Sequence, residues 1–248
     1  MIVAGVFARG GSKGVPNKNL RIVGGISLVE RAVKQALATR HITRVFCSTD
    51  SEAIADEAKR SGAEAPWLRP SDLAQDTSRE WDSWVHMVKW LNQQGEFPEY
   101  LMAVPCVAPL RTVEDLNQCT ELAVSSGADV VMAVADSYKN PWFNMVSIDA
   151  ESGLVRLINE PPQRIYNRQA APVVYDVSTV AFIIKCSYLL TATSIYDGVT
   201  RAVVLPTNHC VDIDTEEDIE YAEFLLNKRD KGKRYGLRAK LARTFSFR

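Results

Sequence analysis

The densest chemistry in the chain follows its first apolar run, in Ala8-Arg9-Gly10-Gly11-Ser12-Lys13-Gly14-Val15-Pro16-Asn17-Lys18-Asn19-Leu20. Gly10, Gly11 and Gly14 allow a tight backbone that turns its N–H groups toward an anion. Arg9, Lys13 and Lys18 add cations, and Ser12 and Asn19 add neutral hydrogen-bonding groups. So many donors in one loop suit a polyphosphate. The loop is neither of the two common phosphate motifs. Gly5 and Gly10 have the spacing of G-x-x-x-x-G-K-[ST], but Gly11 stands where the lysine belongs, and no G-x-G-x-x-G occurs.

A second constellation is Val211-Asp212-Ile213-Asp214-Thr215 near the other end of the chain. Residues i and i+2 of an extended strand face the same way, so Asp212 and Asp214 point together, as a hard cation such as Mg²⁺ requires. The competing reading makes Asp214 a helix cap and leaves Asp212 solvated. Thr215 and Asp218 have capping-box spacing, which starts a helix directly after the two carboxylates. A third segment, Arg164 to Pro172, carries Arg168 and Gln169, and an arginine fork suits carboxylate or phosphate. Leu68-Arg69-Pro70, Asp76-Thr77 and Pro105 to Thr112 lie at predicted strand ends and are candidate walls of the same pocket. His41, His86 and His209 lack ligand or triad spacing, and no Gly-x-Ser-x-Gly elbow is present.

Short apolar runs alternating with amphipathic stretches must position these groups. Strands are predicted at Ile2–Phe7, Thr43–Ser48, Ala65–Leu68, Tyr100–Val104 and Asp129–Val134. Helices are predicted from Ser27, with a Ser27–Glu30 capping box, and over Glu52–Arg60, Arg79–Gln93 and Val113–Ser125. This alternation means an α/β fold with a largely parallel sheet. In such sheets ligands bind beyond the carboxyl ends of the strands, where the 8–20 loop lies. After Ala135 prolines interrupt the rhythm, and Met145–Ile148 and Leu154–Ile158 read as a hairpin within an excursion over about 136–178. The core resumes at Val180–Lys185 and Arg201–Leu205, and a last helix runs from about Thr215 to Asn227.

Composition agrees with one globular unit over 1–227. The 248 residues are 46% hydrophobic and 24% charged, with a net charge of -1. That near-neutrality conceals an asymmetry. Residues 228–248 hold 9 of the 29 basic residues and one of the 30 acidic ones, so a basic tail follows an acidic body. No nucleic-acid partner is expected from this balance. No apolar run approaches the ~18 residues that span a bilayer. The N-terminus has no signal-peptide pattern, and five dispersed cysteines suggest neither a disulfide framework nor a zinc site. A soluble, cytoplasmic protein is the expectation.

Taken in order, these motifs resemble the acylneuraminate cytidylyltransferase family, the CMP-sialic acid synthetases and their CMP-sugar-acid relatives. The family's opening pattern, Ala-Arg-x-x-Ser-Lys-Gly-x-Pro-x-Lys-Asn-Leu, matches Ala8 to Leu20 throughout. Ser48 to Ala55, Leu68-Arg69-Pro70, Asp76-Thr77, Pro109-Leu110-Arg111-Thr112, Arg168-Gln169-x-x-Pro172 and Asp212-x-Asp214-Thr215 follow in family order. The resemblance implies a Rossmann-like, mostly parallel sheet flanked by helices, with a small β-containing excursion that forms a homodimer and reaches the partner's site. It implies Mg²⁺-dependent transfer of CMP from CTP to the anomeric hydroxyl of a 3-deoxy-2-keto sugar acid, with pyrophosphate released. Arg9, Gly10, Gly11, Ser12, Lys13, Lys18 and Asn19 would bind the nucleotide, and Arg69 and Thr77 would flank the nucleoside. Asp212 and Asp214 would hold the metal, and Arg168 and Gln169 would meet the sugar acid. Arg9, Lys18 and Asp214 would carry the catalysis.

Three departures surround the base or the acceptor. The family's Gln-Pro-Thr-Ser-Pro-Leu-Arg becomes Pro105 to Arg111, which removes a glutamine associated with the nucleoside. A family lysine falls near Phe143, and the family's Asn-Gly-Ala-Ile-Tyr becomes Ser178 to Phe182. These leave open transfer from another nucleotide, such as GTP, to a sugar 1-phosphate. A non-catalytic nucleotide-binding module with a docking tail is the other alternative.

Overall fold

The computed structural model describes residues 1–12 and 14–229, so Lys13 and the tail from residue 230 lie outside the described residues. Its first strand, β1 (Ile2–Phe7), shows why the chain layers as it does. All six residues are buried, and alternation sends Ile2, Ala4 and Val6 into one core and Val3 and Phe7 into another. A two-residue hairpin, β2 (Ile22–Val23) and β3 (Ile26–Ser27), turns at Gly24 and Gly25, whose φ values of 59° and 86° favour glycine. Then follow α1 (Leu28–Leu37), β4 (Ile42–Ser48), α2 (Glu52–Arg60), α3 (Glu80–Gln93), β5 (Tyr100–Ala103), α4 (Val113–Ser126) and β6 (Val130–Asp136). The chain continues through β7 (Val146–Ile148), β8 (Val155–Leu157), β9 (Tyr175–Lys185), α5 (Cys186–Leu189) and β10 (Thr200–Leu205). A helix described over 216–229, α6, ends the described chain.

Six described strands form one sheet in the order β10-β6-β9-β5-β1-β4, and within that sheet only β9 runs against the common direction. Helices α1, α2, α4 and α6 bury their apolar stripes on one face, and α3 and α5 cover the other. The fold is therefore the mostly parallel α/β sheet that the alternation predicts. From β1 the chain moves outward to β4, then returns across β1 to form β5. Strand order thus reverses around β1, and the crevice beyond its carboxyl end is where such sheets bind ligands.

Four local expectations are corrected. Ala65–Leu68 is no strand: one bridge joins Glu64 to Phe46, and Pro66 then has no N–H to continue the ladder. Ser27 caps α1 by accepting from the Glu30 N–H at 3.1 Å, but the Glu30 carboxylate turns to Lys34 at 2.6 Å, so the box is half made. The sheet resumes at Tyr175 rather than Val180. Lys228 and Arg229 belong to α6 rather than to a separate tail. The excursion does contain the predicted hairpin, as β7 paired with β8.

β9 carries the irregularity that matters for the site. Its ladder with β6 slips between Met132 and Val134, so that Met132 faces Phe182 but Val134 faces Val177. Residues 178–181 bulge out of register, as strands often do beside functional sites. The bulge turns the Thr179 hydroxyl to Asp212 and leaves the Val180 carbonyl to Arg111, 3.0 Å away.

Candidate active site

Carboxyl ends of β1, β4 and β5 and the β9 bulge converge on one cleft. Its first cavity, about 320 Å³, is lined by Arg9, Ser12, Gly14, Lys18 and Asn19 from the 8–20 loop. Pro105, Cys106 and Val107 form the facing wall, with Thr179 and Asp214 at the end. A second cavity of about 300 Å³ is lined by Arg69, Leu73, Gln75, Asp76, Ser78 and Ser83. Phe7, Arg9 and Glu80 line both, so the two adjoin as one elongated cleft.

The 8–20 loop is held by its own polar groups. Lys18 Nζ donates to the Ile213 carbonyl at 2.7 Å and pairs with Asp214 Oδ1 at 3.0 Å. That lysine is mostly buried, whereas Asp214 is open, so the ammonium is fixed and its partner faces the cleft mouth. Asn19, also buried, donates to the Arg9 carbonyl at 2.9 Å, which sets the loop's curvature. Arg9 pairs with Asp76 at 2.7 Å. The Gly10 N–H donates to Asp50 Oδ1 at 2.9 Å, so this amide is engaged by the protein's own carboxylate.

None of the loop's glycines adopts a left-handed conformation. Gly14 is required for a different reason. A Cβ there would lie 2.3 Å from the Asp214 carbonyl oxygen, so only glycine lets the loop close on the 211–214 segment. A Cβ added at Gly10 would meet the Ser51 side chain less severely, at 3.1 Å, and one at Gly11 would meet nothing.

Asp212 and Asp214 do share a side of their segment, because Ile213 between them is wholly buried on the other. The Ile213 N–H donates to the Val107 carbonyl at 2.9 Å, pinning the segment to the facing wall. Asp212 accepts from the Thr179 hydroxyl, and desolvation followed by the nearby Asp214 charge pushes its carboxyl above the ordinary range. Asp214 is no helix cap. Thr215 Oγ1 accepts from the Asp218 N–H at 3.3 Å, and the Asp218 carboxylate accepts from the N–H groups of Asp214 and Thr215 at 2.9 and 2.8 Å. This is the predicted capping box.

Arg69 is buried at the second cavity, with Nη1 3.2 Å from Ser83 Oγ and Nη2 4.0 Å from Asp50. Its Nε has no partner, and desolvation lowers its guanidinium from the ordinary value. Thr77 is exposed and lines neither cavity, although its neighbours Asp76 and Ser78 do. Arg168 and Gln169 sit on an exposed turn of the excursion, away from this cleft. Arg168 donates to the Ser137 carbonyl and lies 5.5 Å from the Tyr138 ring centroid.

A family model described as cytidylyltransferase matches residues 3–99. The protein of Legionella pneumophila named CMP-N,N'-diacetyllegionaminic acid synthase is 30% identical over 226 residues, 91% of this chain and 96% of its own length. A Campylobacter jejuni protein of the same name is 30% identical over 232 residues, 92% of this chain and 96% of its own. This chain belongs to the cytidylyltransferase family. A solved CMP:2-keto-3-deoxy-manno-octonic acid synthetase, complexed with CTP, shares the fold with a TM-score of 0.69, covering 92% of this chain and 99% of its own, at 14% identity.

Membership makes the chain a nucleotidyltransferase and sets aside the reading as a non-catalytic module. Within this cytidylyltransferase-family cleft, sequence reasoning missed Phe7 and Glu80, while Cys106 lies in the predicted 105–112 wall and Thr179 in the 178–182 segment. Phe7 looks like ordinary core in sequence, and Thr179 reaches the site through a bulge that no periodicity announces. Burial pushes the Cys106 thiol up to about 12, so it stays protonated and serves as wall. Glu80 had one available signal, an acid in the first turn of α3 directly after Asp76-Thr77. Among the described residues no helix is long and apolar enough to cross a membrane.

Proposed function

We propose that the chain transfers CMP from CTP to the anomeric hydroxyl of a nine-carbon 3-deoxy-2-keto sugar acid, a nonulosonic acid. One observation carries the reading: a single loop places Arg9 and Lys18 in the β1 crevice opposite Asp214, in a chain with full-length similarity to two enzymes named CMP-N,N'-diacetyllegionaminic acid synthase. The triphosphate lies along Arg9, Ser12, Lys18 and Asn19, joined by the Gly10, Gly11 and Lys13 stretch of the same loop. The nucleoside extends toward Arg69. The anomeric hydroxyl loses its proton to water as its oxygen bonds to the α-phosphorus, and the bond from that phosphorus to the bridging oxygen breaks, releasing pyrophosphate. Charge grows on the phosphoryl oxygens during this exchange, and the pre-placed guanidinium and ammonium of Arg9 and Lys18 offset it without reorganisation.

Asp212 and Asp214 fit a divalent cation. Mg²⁺ takes one or two carboxylates and completes its shell with water and substrate phosphates, so two acids without a third protein ligand suit it. A cation there would also favour the ionised Asp212, which desolvation and, less strongly, the Asp214 charge disfavour. Bound Mg²⁺ supplies neutralisation of the phosphates and of the leaving group. Thr179 orients Asp212, and Lys18 orients Asp214.

The acceptor side needs a second subunit in this reading. Arg168 and Gln169 are carried on an arm outside their own cleft, and the arm exposes apolar residues that a homodimer would cover. A cytoplasmic location accords with five free cysteines among the described residues.

The test is pyrophosphate release with Mg²⁺, crossing CTP and GTP against N,N'-diacetyllegionaminic acid, other keto sugar acids and sugar 1-phosphates. Release with CTP and a nonulosonic acid, abolished by chelation, is the expected result. Release confined to GTP and a sugar 1-phosphate overturns the substrate assignment.

A further inference from the structure

Glu80 stands at the junction of the two cavities and is the one acid that lines both. The other carboxylates of the cleft are committed: Asp214 to Lys18, and Asp76 to Arg9. Glu80 forms no salt bridge among the described residues. It opens onto the cleft yet sits in dense surroundings, so desolvation raises its carboxyl while the neighbouring Trp84 indole and, less strongly, the charge of Arg69 lower it. Its position is fixed, because it opens α3 and is followed directly by Trp81 and, one turn later, Trp84, both buried in the core.

Around it few charged groups are free to read a base. Phe7 and Leu73 are apolar, the side chains of the facing wall of Pro105, Cys106 and Val107 carry neither amide nor carboxyl, Gln75, Ser78 and Ser83 are neutral, and Asp76 is paired with Arg9. Arg69 and Glu80 are the charged side chains left for a flat heterocycle there. Arg69 offers donors only, including a buried Nε without a partner, and an ionised Glu80 offers acceptors only. Cytosine presents the complementary set, with an exocyclic amine as donor beside carbonyl and ring-nitrogen acceptors. Uracil reverses the key position by placing a carbonyl oxygen where cytosine has its amine. A carboxylate accepts from the cytosine amine and repels the carbonyl oxygen.

We infer that Glu80 is the base-reading residue of this enzyme, accepting from the exocyclic amine of cytosine and selecting CTP over UTP. The inference rests on the proposed reaction and adds to it the source of pyrimidine choice. The helix-first position of Glu80 is by itself equally explained by favourable interaction with the α3 dipole.

Calorimetric titration of the wild-type chain, Glu80→Gln and Glu80→Ala with CTP and with UTP, and of the wild-type chain with GTP, each with Mg²⁺, tests it. The ratio of the two affinities on one preparation is independent of the folded fraction. Loss of a hydrogen bond to a charged acceptor weakens CTP binding by about 10- to 100-fold in Glu80→Ala. Glu80→Gln keeps the packing but presents both a donor and an acceptor, so its CTP-to-UTP ratio falls mainly through improved UTP binding. A ratio unchanged from wild type in both variants overturns the role of Glu80 and leaves the proposed reaction standing. Wild-type protein that binds GTP in preference to CTP overturns the proposed reaction, and the inference with it.

Discussion

Lys18 and Asp214 form the contact on which the candidate chemistry turns, since their pairing joins the first loop of the chain to its last strap. Lys18→Met is expected to reduce kcat/KM by about 10²- to 10³-fold, the usual consequence of removing one preorganised charge from a phosphoryl-transfer site. Steady-state pyrophosphate release measures it, with a melting curve showing that the fold survives. Asp212 makes a second prediction with a definite sign. Its carboxyl is raised in the folded protein by desolvation and by Asp214, so its ionised form opposes folding as pH rises from the ordinary carboxylate value through the raised one. Asp212→Asn, which retains an acceptor for Thr179, should therefore melt higher than wild type at neutral pH and no higher at strongly acidic pH. The same substitution should abolish most of the Mg²⁺-dependent turnover. A variant that melts lower at neutral pH would show that the Asp212 charge is compensated inside the fold.

Among the elements, the closure of the 8–20 loop on the 211–214 strap depends on one missing side chain. In Gly14→Ala the new Cβ meets a backbone carbonyl rather than a movable side chain, so the strap must retreat, costing about 1–3 kcal/mol. Activity should fall sharply in Gly14→Ala and survive in Gly11→Ala, where the added methyl meets nothing; equal losses in both would contradict this account. Arg111 braces the same region from behind. It is fully buried, donates from Nε to Gln35 Oε1 at 2.9 Å and from Nη1 to the β9 bulge, and its carbonyl accepts from Gln35 Nε2 at 2.7 Å. Arg111→Met leaves the Val180 carbonyl and Gln35 Oε1 without that donor, and about 2 kcal/mol should disappear from a denaturation curve. These cases show what was legible in the residues alone. The parallel α/β sheet, the glycine- and lysine-rich loop after β1 and the capped helix after Asp214 follow from periodicity and spacing, because each is local. The need for glycine at position 14, the β9 bulge at Thr179 and the place of Glu80 depend on segments far apart in sequence. Thr77 was misplaced for the converse reason: its motif is local, but the turn that carries it aims Asp76 and Ser78 inward instead.

At the scale of the molecule, the β7–β8 arm is the part that does not stand by itself. A two-stranded hairpin is marginal in water, and here β7 has every residue exposed and β8 nearly so. Ile148 and Tyr166 are 68% and 78% exposed, with Val146, Leu154 and Val155 beside them, which makes an apolar surface larger than scattered side chains require. Arg168, held at the arm's base by the Ser137 carbonyl, is carried on the same projection and not in its own cleft. If a second copy covers the arm, the apolar residues supply the association and Arg168 is delivered to the partner's acceptor side. Replacing Ile148 and Leu154 together by aspartate should convert a dimer to a monomer in light scattering while leaving CTP affinity within about threefold, because the 8–20 loop and Arg69, to which the proposal assigns the nucleotide, lie in one chain. Turnover with the sugar acid should collapse in that monomer. Mixing it with an otherwise intact Lys18→Met protein should restore nothing, since the mixed pair cannot form. Mixing Lys18→Met with Arg168→Ala on intact arms should restore activity to the quarter of sites expected from random pairing that combine an intact cleft with an intact arm. A monomeric wild type with full turnover would dismiss the arrangement.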